Sequence, residues 1–231
     1  MTAMAHIDTW VFDMDRTLFV ADALYHKMHD RMTHYIAERF GMNRDDAQIL
    51  RDQYFAKHGA TVTGLHVEHG IDRLEFLQYT HDVPCDGYEQ IHNIAEIMEN
   101  LPGRKFIYTN APHFHTERLI NILQIDHHID GLHDIIAADF VSKPSPAAFA
   151  GFLDKYKIDP KSACFFEDTH ANLQPAHACG MQTVWLTHLT PSCPLPDPIP
   201  YVDHVVRDMR HWYDDIFAPL MPAKNAGADN D

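Results

Sequence analysis

Asp13 and Asp15 stand two residues apart at the end of a short apolar run, Trp10-Val11-Phe12. Three further segments carry reactive groups in comparable settings. Thr109-Asn110 follows Lys105-Phe106-Ile107-Tyr108, Lys143 lies in the stretch SKPSP, and Glu167-Asp168 follows Ala163-Cys164-Phe165-Phe166. Carboxylates, an ammonium and a hydroxyl are the groups of nucleophilic and acid–base chemistry. Any one of these segments alone reads as a solvated turn. In an open parallel sheet, however, ligands bind at the carboxyl ends of the strands. If the apolar runs are strands of one such sheet, the four segments converge on a single rim.

The elements needed to build that rim are legible. Trp10-Val11-Phe12 is apolar throughout, as a strand covered on both faces must be. β-prone runs return at residues 105–108, 135–138, 163–166 and 183–186, and His204-Val205-Val206 offers a sixth. Helical patterns at 117–124, 146–156 and 173–179 separate them, the last closed by Gly180. Strands alternating with helices predict an α/β fold, a Rossmann-like parallel sheet with helices on both faces. Between the first and second strands the pattern turns helical, from about Asp22 to Met98. Asn43 reads as an N-cap there, the stretch from Gly59 to Gly70 breaks the pattern, and helices are expected again over 73–80 and 86–100. The proline-rich stretch 191–200 reads as a surface loop and 219–231 as a flexible tail.

The order and content of the four segments resemble the haloacid dehalogenase superfamily of phosphatases, through Asp13 and Asp15, Thr109, Lys143, and Glu167 with Asp168. The resemblance implies a core of residues 1–21 and 99–218, and a helical cap of 22–98 inserted after the first strand. It implies roles as well. Asp13 would be the nucleophile, splitting hydrolysis of a phosphate monoester into two displacements through an acyl phosphate. Asp15 would protonate the leaving oxygen and then deprotonate the attacking water. Magnesium would be held by Asp13, the main-chain carbonyl of Asp15, and Asp168, with Glu167 behind them or acting through water. Lys143, the Thr109 hydroxyl and the Asn110 N–H would bind the phosphoryl group. The acid at position 15 favours phosphoryl chemistry over the dehalogenase branch, which needs none there.

Within the superfamily, YTNA at 108–111 and YFAKHGATVTGL at 54–65 resemble the pyrimidine 5′-nucleotidase branch. That likeness implies a nucleoside 5′-monophosphate substrate, UMP or CMP, facing Tyr54, Lys57, His58 and Thr63. Arg16 stands where the branch commonly has asparagine, and Phe19 where it has tyrosine; Arg16 either adds positive charge at the mouth or points to solvent. Alternatives are a phosphatase for another small phosphate, such as a sugar phosphate, phosphoglycolate or flavin mononucleotide, a phosphomutase, or a catalytically silent binding protein with the same fold.

The bulk numbers narrow the field. The chain has 231 residues, 45% hydrophobic and 22% charged, with a formal net charge of −15. Such acidity disfavours a nucleic-acid partner. Four cysteines without a CxxC pair fit a reducing, cytoplasmic setting, and no apolar run has membrane-spanning length. Nineteen histidines include the pairs His113/His115 and His127/His128, which invite a metal reading but are expected at exposed polar positions. Whether the chain is a monomer or a homodimer stays open.

Overall fold

The computed structural model describes residues 4–85, 93–190, 192–197 and 199–220. Among them, strands β1 (Thr9–Phe12), β2 (Arg104–Tyr108), β3 (Gly131–His133), β4 (Ala163–Glu167), β5 (Gln182–Leu186) and β6 (His204–Val206) form one sheet in the order β3-β2-β1-β4-β5-β6. Every pairing is parallel. β1 is central, with Phe12 opposite Ile107 on one side and Phe166 on the other. The α/β Rossmann-like expectation is therefore met.

Period-two alternation explains why β1 is apolar throughout. Trp10 and Phe12 enter one buried cluster with Ile107, Cys164 and Phe166, while Val11 enters the opposite one with Phe106, Tyr108 and Phe165. The first cluster is closed by α5 (Ile94–Asn100), α6 (His113–Leu123) and α9 (Met209–Trp212), whose Trp212 packs on Trp10 and Phe166. The second is closed by α7 (Pro146–Tyr156) and α8 (Leu173–Cys179).

Four helices lie between β1 and α5: α1 (Asp22–Phe40), α2 (Arg44–His58), α3 (Thr61–His69) and α4 (Arg73–His81). Asn43 caps α2, its side chain accepting from the Asp46 N–H. The stretch from Gly59 to Gly70 is a helix rather than an interruption. Both glycines adopt the left-handed conformation, one ending α2 and the other ending α3. The four helices bury a cluster of their own, including Ile36, Tyr54, Leu65 and Phe76. Of the helix expected over 86–100, residues 86–92 lie outside the described set and α5 accounts for the rest. The loop expected over 191–200 carries no helix or strand at its described positions, and the tail expected over 219–231 lies outside the described residues beyond Leu220.

One strand is displaced from its expected place. The third strand is Gly131–His133, and residues 135–138 form a turn. Asp134 causes this: its carboxylate accepts from the N–H groups of Ala137 and His113 and curls the chain off the sheet edge. Ile135 then packs into the α1–α4 cluster instead of the sheet, and the Phe140 ring lies 3.9 Å below the Arg73 guanidinium of α4. Among the described residues no helix is long and apolar enough to cross a membrane.

Candidate active site

β1 delivers Asp13 to the carboxyl rim, where its N–H still pairs with the Phe166 carbonyl of β4. The chain then reverses within a tight turn. The Met14 carbonyl accepts from the N–H groups of Thr17, Leu18 and Phe19, and Arg16 takes a left-handed φ of 65° to close it. Asp15 sits on this turn with its side chain 20% exposed.

β2, β4 and the SKPSP segment bring in the partners. Lys143 is 2% exposed, and its ammonium donates to Asp13 Oδ1 at 2.7 Å, Glu167 Oε1 at 2.8 Å and the Tyr108 carbonyl at 2.9 Å. All three ammonium protons thus have acceptors. Asn110 fixes the Lys143 backbone from both sides, its Oδ1 accepting from the Lys143 N–H at 2.8 Å and its Nδ2 donating to the Lys143 carbonyl at 3.2 Å. The Thr109 hydroxyl accepts from the Ala111 N–H, which leaves its own proton to donate.

Glu167 and Asp168 differ sharply despite being neighbours. Glu167 is 1% exposed and its oxygens accept from Lys143, the Asn172 amide at 2.6 Å and the Thr169 N–H at 2.8 Å. Asp168 is less buried, its carboxyl stands beside that of Glu167, and its main-chain carbonyl accepts from the Trp185 indole N–H at 2.8 Å. Its carboxylate lies 3.7 Å from the Arg16 Nε, which also pairs with Asp22 at 3.3 Å. Arg16 is therefore drawn across the acidic rim and over the Tyr25 ring.

The electrostatics are those of a site short of positive charge. Burial pushes the Asp13 carboxyl well above the carboxylate range; Lys143 pulls it back, while Glu167 and Asp168 push it further up. Burial and Glu167 raise Asp168 to about 7 against the opposing pull of Arg16. Lys143 pairs with Asp13 and Glu167, and Arg16 reaches Asp168 only at 3.7 Å, so burial and mutual repulsion raise the proton affinity of Asp13 and Asp168. Ligand oxygens of Asp13, Glu167 and Asp168 all lie within 4.8 Å of one another. The hard carboxylate donors suit magnesium, and Asp13 and Asp168, which carry fewer hydrogen bonds than Glu167, would hold it.

His115 was invisible as a functional residue in the sequence. It is fully buried rather than exposed, and its Nε2–H donates to Asp15 Oδ1 at 2.9 Å. Burial works against its charge, but the Asp15 carboxylate holds it up at about 9; burial likewise pushes Asp15 up, and His115 more than offsets it, leaving Asp15 below its ordinary value. The available signal was register. His115, Leu119 and Leu123 form an i, i+4, i+8 stripe on the buried face of α6. His113 instead pairs with Asp134, and His127 and His128 are unburied on a short 3₁₀ turn. None of these joins the acidic cluster.

The four inserted-helix residues expected to face substrate lie as follows. Tyr54 is 8% exposed within the α1–α4 cluster, its hydroxyl against His69. Lys57 and His58 both pair with Glu68. The Thr63 hydroxyl donates to the Phe140 carbonyl at 3.4 Å. Gly59 abuts Ser142, the residue before Lys143, which brings the end of α2 beside the SKPSP segment.

The parallel sheet thus gathers Asp13 and Asp15 after its central strand, the buried Lys143, and Glu167 with Asp168 at one rim. A family model described as haloacid dehalogenase-like hydrolase matches residues 7–180, and the chain belongs to that family. It is 26% identical over 189 residues to Phosphate metabolism protein 8 of Saccharomyces cerevisiae, a match covering 74% of this chain and 58% of the yeast protein. It is 25% identical over 133 residues to a phosphoglycolate phosphatase of Haemophilus influenzae, covering 56% and 58%. The chain thus spans under two thirds of the curated relatives it matches. In the fold it resembles a HAD phosphatase from Thermococcus onnurineus, with a TM-score of 0.62, 15% identity, and 90% and 96% of the two chains covered.

Proposed function

We propose that the protein is a magnesium-dependent phosphomonoester hydrolase acting through an aspartyl-phosphate on Asp13. The observation that carries the reading is the grip of Lys143 on Asp13. A buried ammonium 2.7 Å from one carboxylate oxygen leaves the other free of that bond and offsets the repulsion between a carboxylate and a phosphate dianion. In the first step an Asp13 oxygen bonds to phosphorus as the ester oxygen leaves with a proton from Asp15. In the second, Asp15 takes a proton from water, whose oxygen displaces Asp13 from phosphorus. Asp15 is a carboxylate beside His115 in the free protein; the arriving phosphate charge raises its proton affinity, and the proton that it passes to the ester oxygen is taken up from solvent as the substrate binds. The Thr109 hydroxyl and Asn110 N–H bind phosphoryl oxygens, and Glu167 holds Lys143 in place. Asp13, the Asp15 main-chain carbonyl and Asp168 would hold magnesium, which would supply charge neutralisation at the phosphoryl group.

In this reading residues 22–98 act as a cap over a core of 1–21 and 99–218, and closure of the cap excludes water. The substrate is a small phosphate monoester. TNA at 109–111 and the stretch around Tyr54, Lys57, His58 and Thr63 support a pyrimidine nucleoside 5′-monophosphate, with Arg16 adding charge at the mouth. The similarity to the phosphoglycolate phosphatase supports a second reading, a small phosphorylated acid. A phosphate-release panel separates them. UMP and CMP turned over with the highest kcat/KM support the first; phosphoglycolate or sugar phosphates leading the panel rejects it.

A further inference from the structure

The reading above leaves open what holds Asp15 in place. Its carboxylate sits on a turn, is partly exposed, and has one oxygen to present to substrate. Among the described residues, His115 is the side chain that hydrogen-bonds it.

Placing a histidine here is costly unless it works. The position belongs to the α6 stripe that also buries Leu119 and Leu123, and leucine would fill it without an imidazole to desolvate. His115 is 0% exposed, so its ring has little freedom to turn. α6 starts three residues after Asn110, at the same rim as the phosphoryl-binding groups, and this aims its first turn at the β1 loop. A second histidine packs against the first. His81, at the end of α4, has its ring 5.1 Å away, and its Nδ1–H donates to the Leu77 carbonyl of its own helix at 2.9 Å. That bond ties His81 to α4, so it walls in the His115 ring without competing for Asp15.

We propose that His115 is the positioning residue of the proton shuttle: its Nε2–H fixes Asp15 Oδ1, so that Oδ2 faces the oxygen that leaves and later the water that attacks. The inference rests on the assignment of Asp15 made above. His115 keeps its Nε2 proton throughout. The transferred proton moves from Asp15 Oδ2 to the ester oxygen as the phosphorus–oxygen bond breaks, and a proton from water returns to Oδ2.

A positioning role predicts a dependence on the leaving group. An alkyl phosphate needs its alkoxide protonated, whereas 4-nitrophenyl phosphate releases a phenolate that leaves without help. kcat/KM reports the first displacement, so the ratio of kcat/KM for the alkyl over the aryl substrate isolates the proton donor. His115→Leu should lower that ratio by about tenfold or more. His115→Gln, whose amide nitrogen reaches the place of Nε2, should hold the ratio near its natural value. His115→Asn, too short to reach, should lose it. An unchanged ratio in the Leu variant overturns the proposal, as do equal ratios in the Gln and Asn variants, and the latter comparison stands even if the Leu variant does not fold. Asp15→Asn is the control. If it too leaves the ratio intact, the assignment of Asp15 has failed; if it alone lowers the ratio, His115 is not the positioning residue.

Discussion

Asp13, Asp15 and Lys143 carry the account at the scale of single residues. Replacing the proposed nucleophile, Asp13→Asn, should lower kcat by at least about 1,000-fold while the circular dichroism spectrum and melting temperature stay native-like. Lys143 has a second duty, because it is the ammonium that neutralises two buried carboxylates. Lys143→Met should therefore abolish turnover and also cost about 3–5 kcal/mol in urea unfolding, since it leaves Glu167 and Asp13 facing each other unpaired. A variant as stable as the natural protein would mean the pair contributes nothing to the fold. Asp13, Asp15, Thr109, Glu167 and Asp168 were legible in the sequence because they follow apolar runs and strand ends must meet at a rim; Lys143, in a loop, was legible through its place in the order of the segments. His115 and Asn172 were not. A histidine on a helix gives no sign of what it meets until the helix is docked, and Asn172 matters only because β4 turns Glu167 back toward it.

Local packing decides the next scale. Gly64 lies in the stretch whose spacing resembled a nucleotide-facing motif, yet a Cβ there would come within 2.5 Å of the Tyr54 Cβ. Its first duty is to let α3 approach α2. Gly64→Ala should accordingly destabilise the protein by about 1–3 kcal/mol in chemical denaturation, an overpacking cost; a neutral effect would show that α2 and α3 separate freely. The β3 edge offers a pH test. His133 is buried among Tyr108, Phe152 and Tyr156, and burial pushes its pKa down to about 4. The unfolded chain binds this proton below about 6.5 while the folded one refuses it until about 4, so this residue's contribution to stability is lost as pH falls through that window. His133→Phe should gain in melting temperature relative to the natural protein between pH 6.5 and 4, and a constant difference would contradict the assignment. The register of β3 was misread because residues 135–138 are as β-prone as a strand. What removes them from the sheet is the side chain of Asp134, a capping interaction that propensity does not weigh.

For the molecule as a whole, the order of strands and the sites at their ends followed from the alternation of apolar runs and helices, since parallel strands need crossovers and crossovers bury both faces. Substrate choice did not follow. In the proposed reading it depends on how the helices α1–α4 meet the core, and two of the contacts between them, Thr63 to the Phe140 carbonyl and Gly59 against Ser142, link segments far apart in sequence. The acidic rim makes the metal a whole-molecule matter too. Magnesium should raise the melting temperature, and Asp168→Asn should reduce that rise and weaken the magnesium dependence of turnover about tenfold or more. An equal rise in both proteins would remove Asp168 from the metal site. The central claim, a phosphoryl group carried on Asp13, is open to direct measurement. Asp15→Asn incubated with magnesium and 4-nitrophenyl phosphate, quenched in acid and digested, should yield the peptide containing Asp13 heavier by one phosphoryl group. Turnover by the natural enzyme with no such adduct on Asp13, or with the phosphoryl group on another residue, would contradict it.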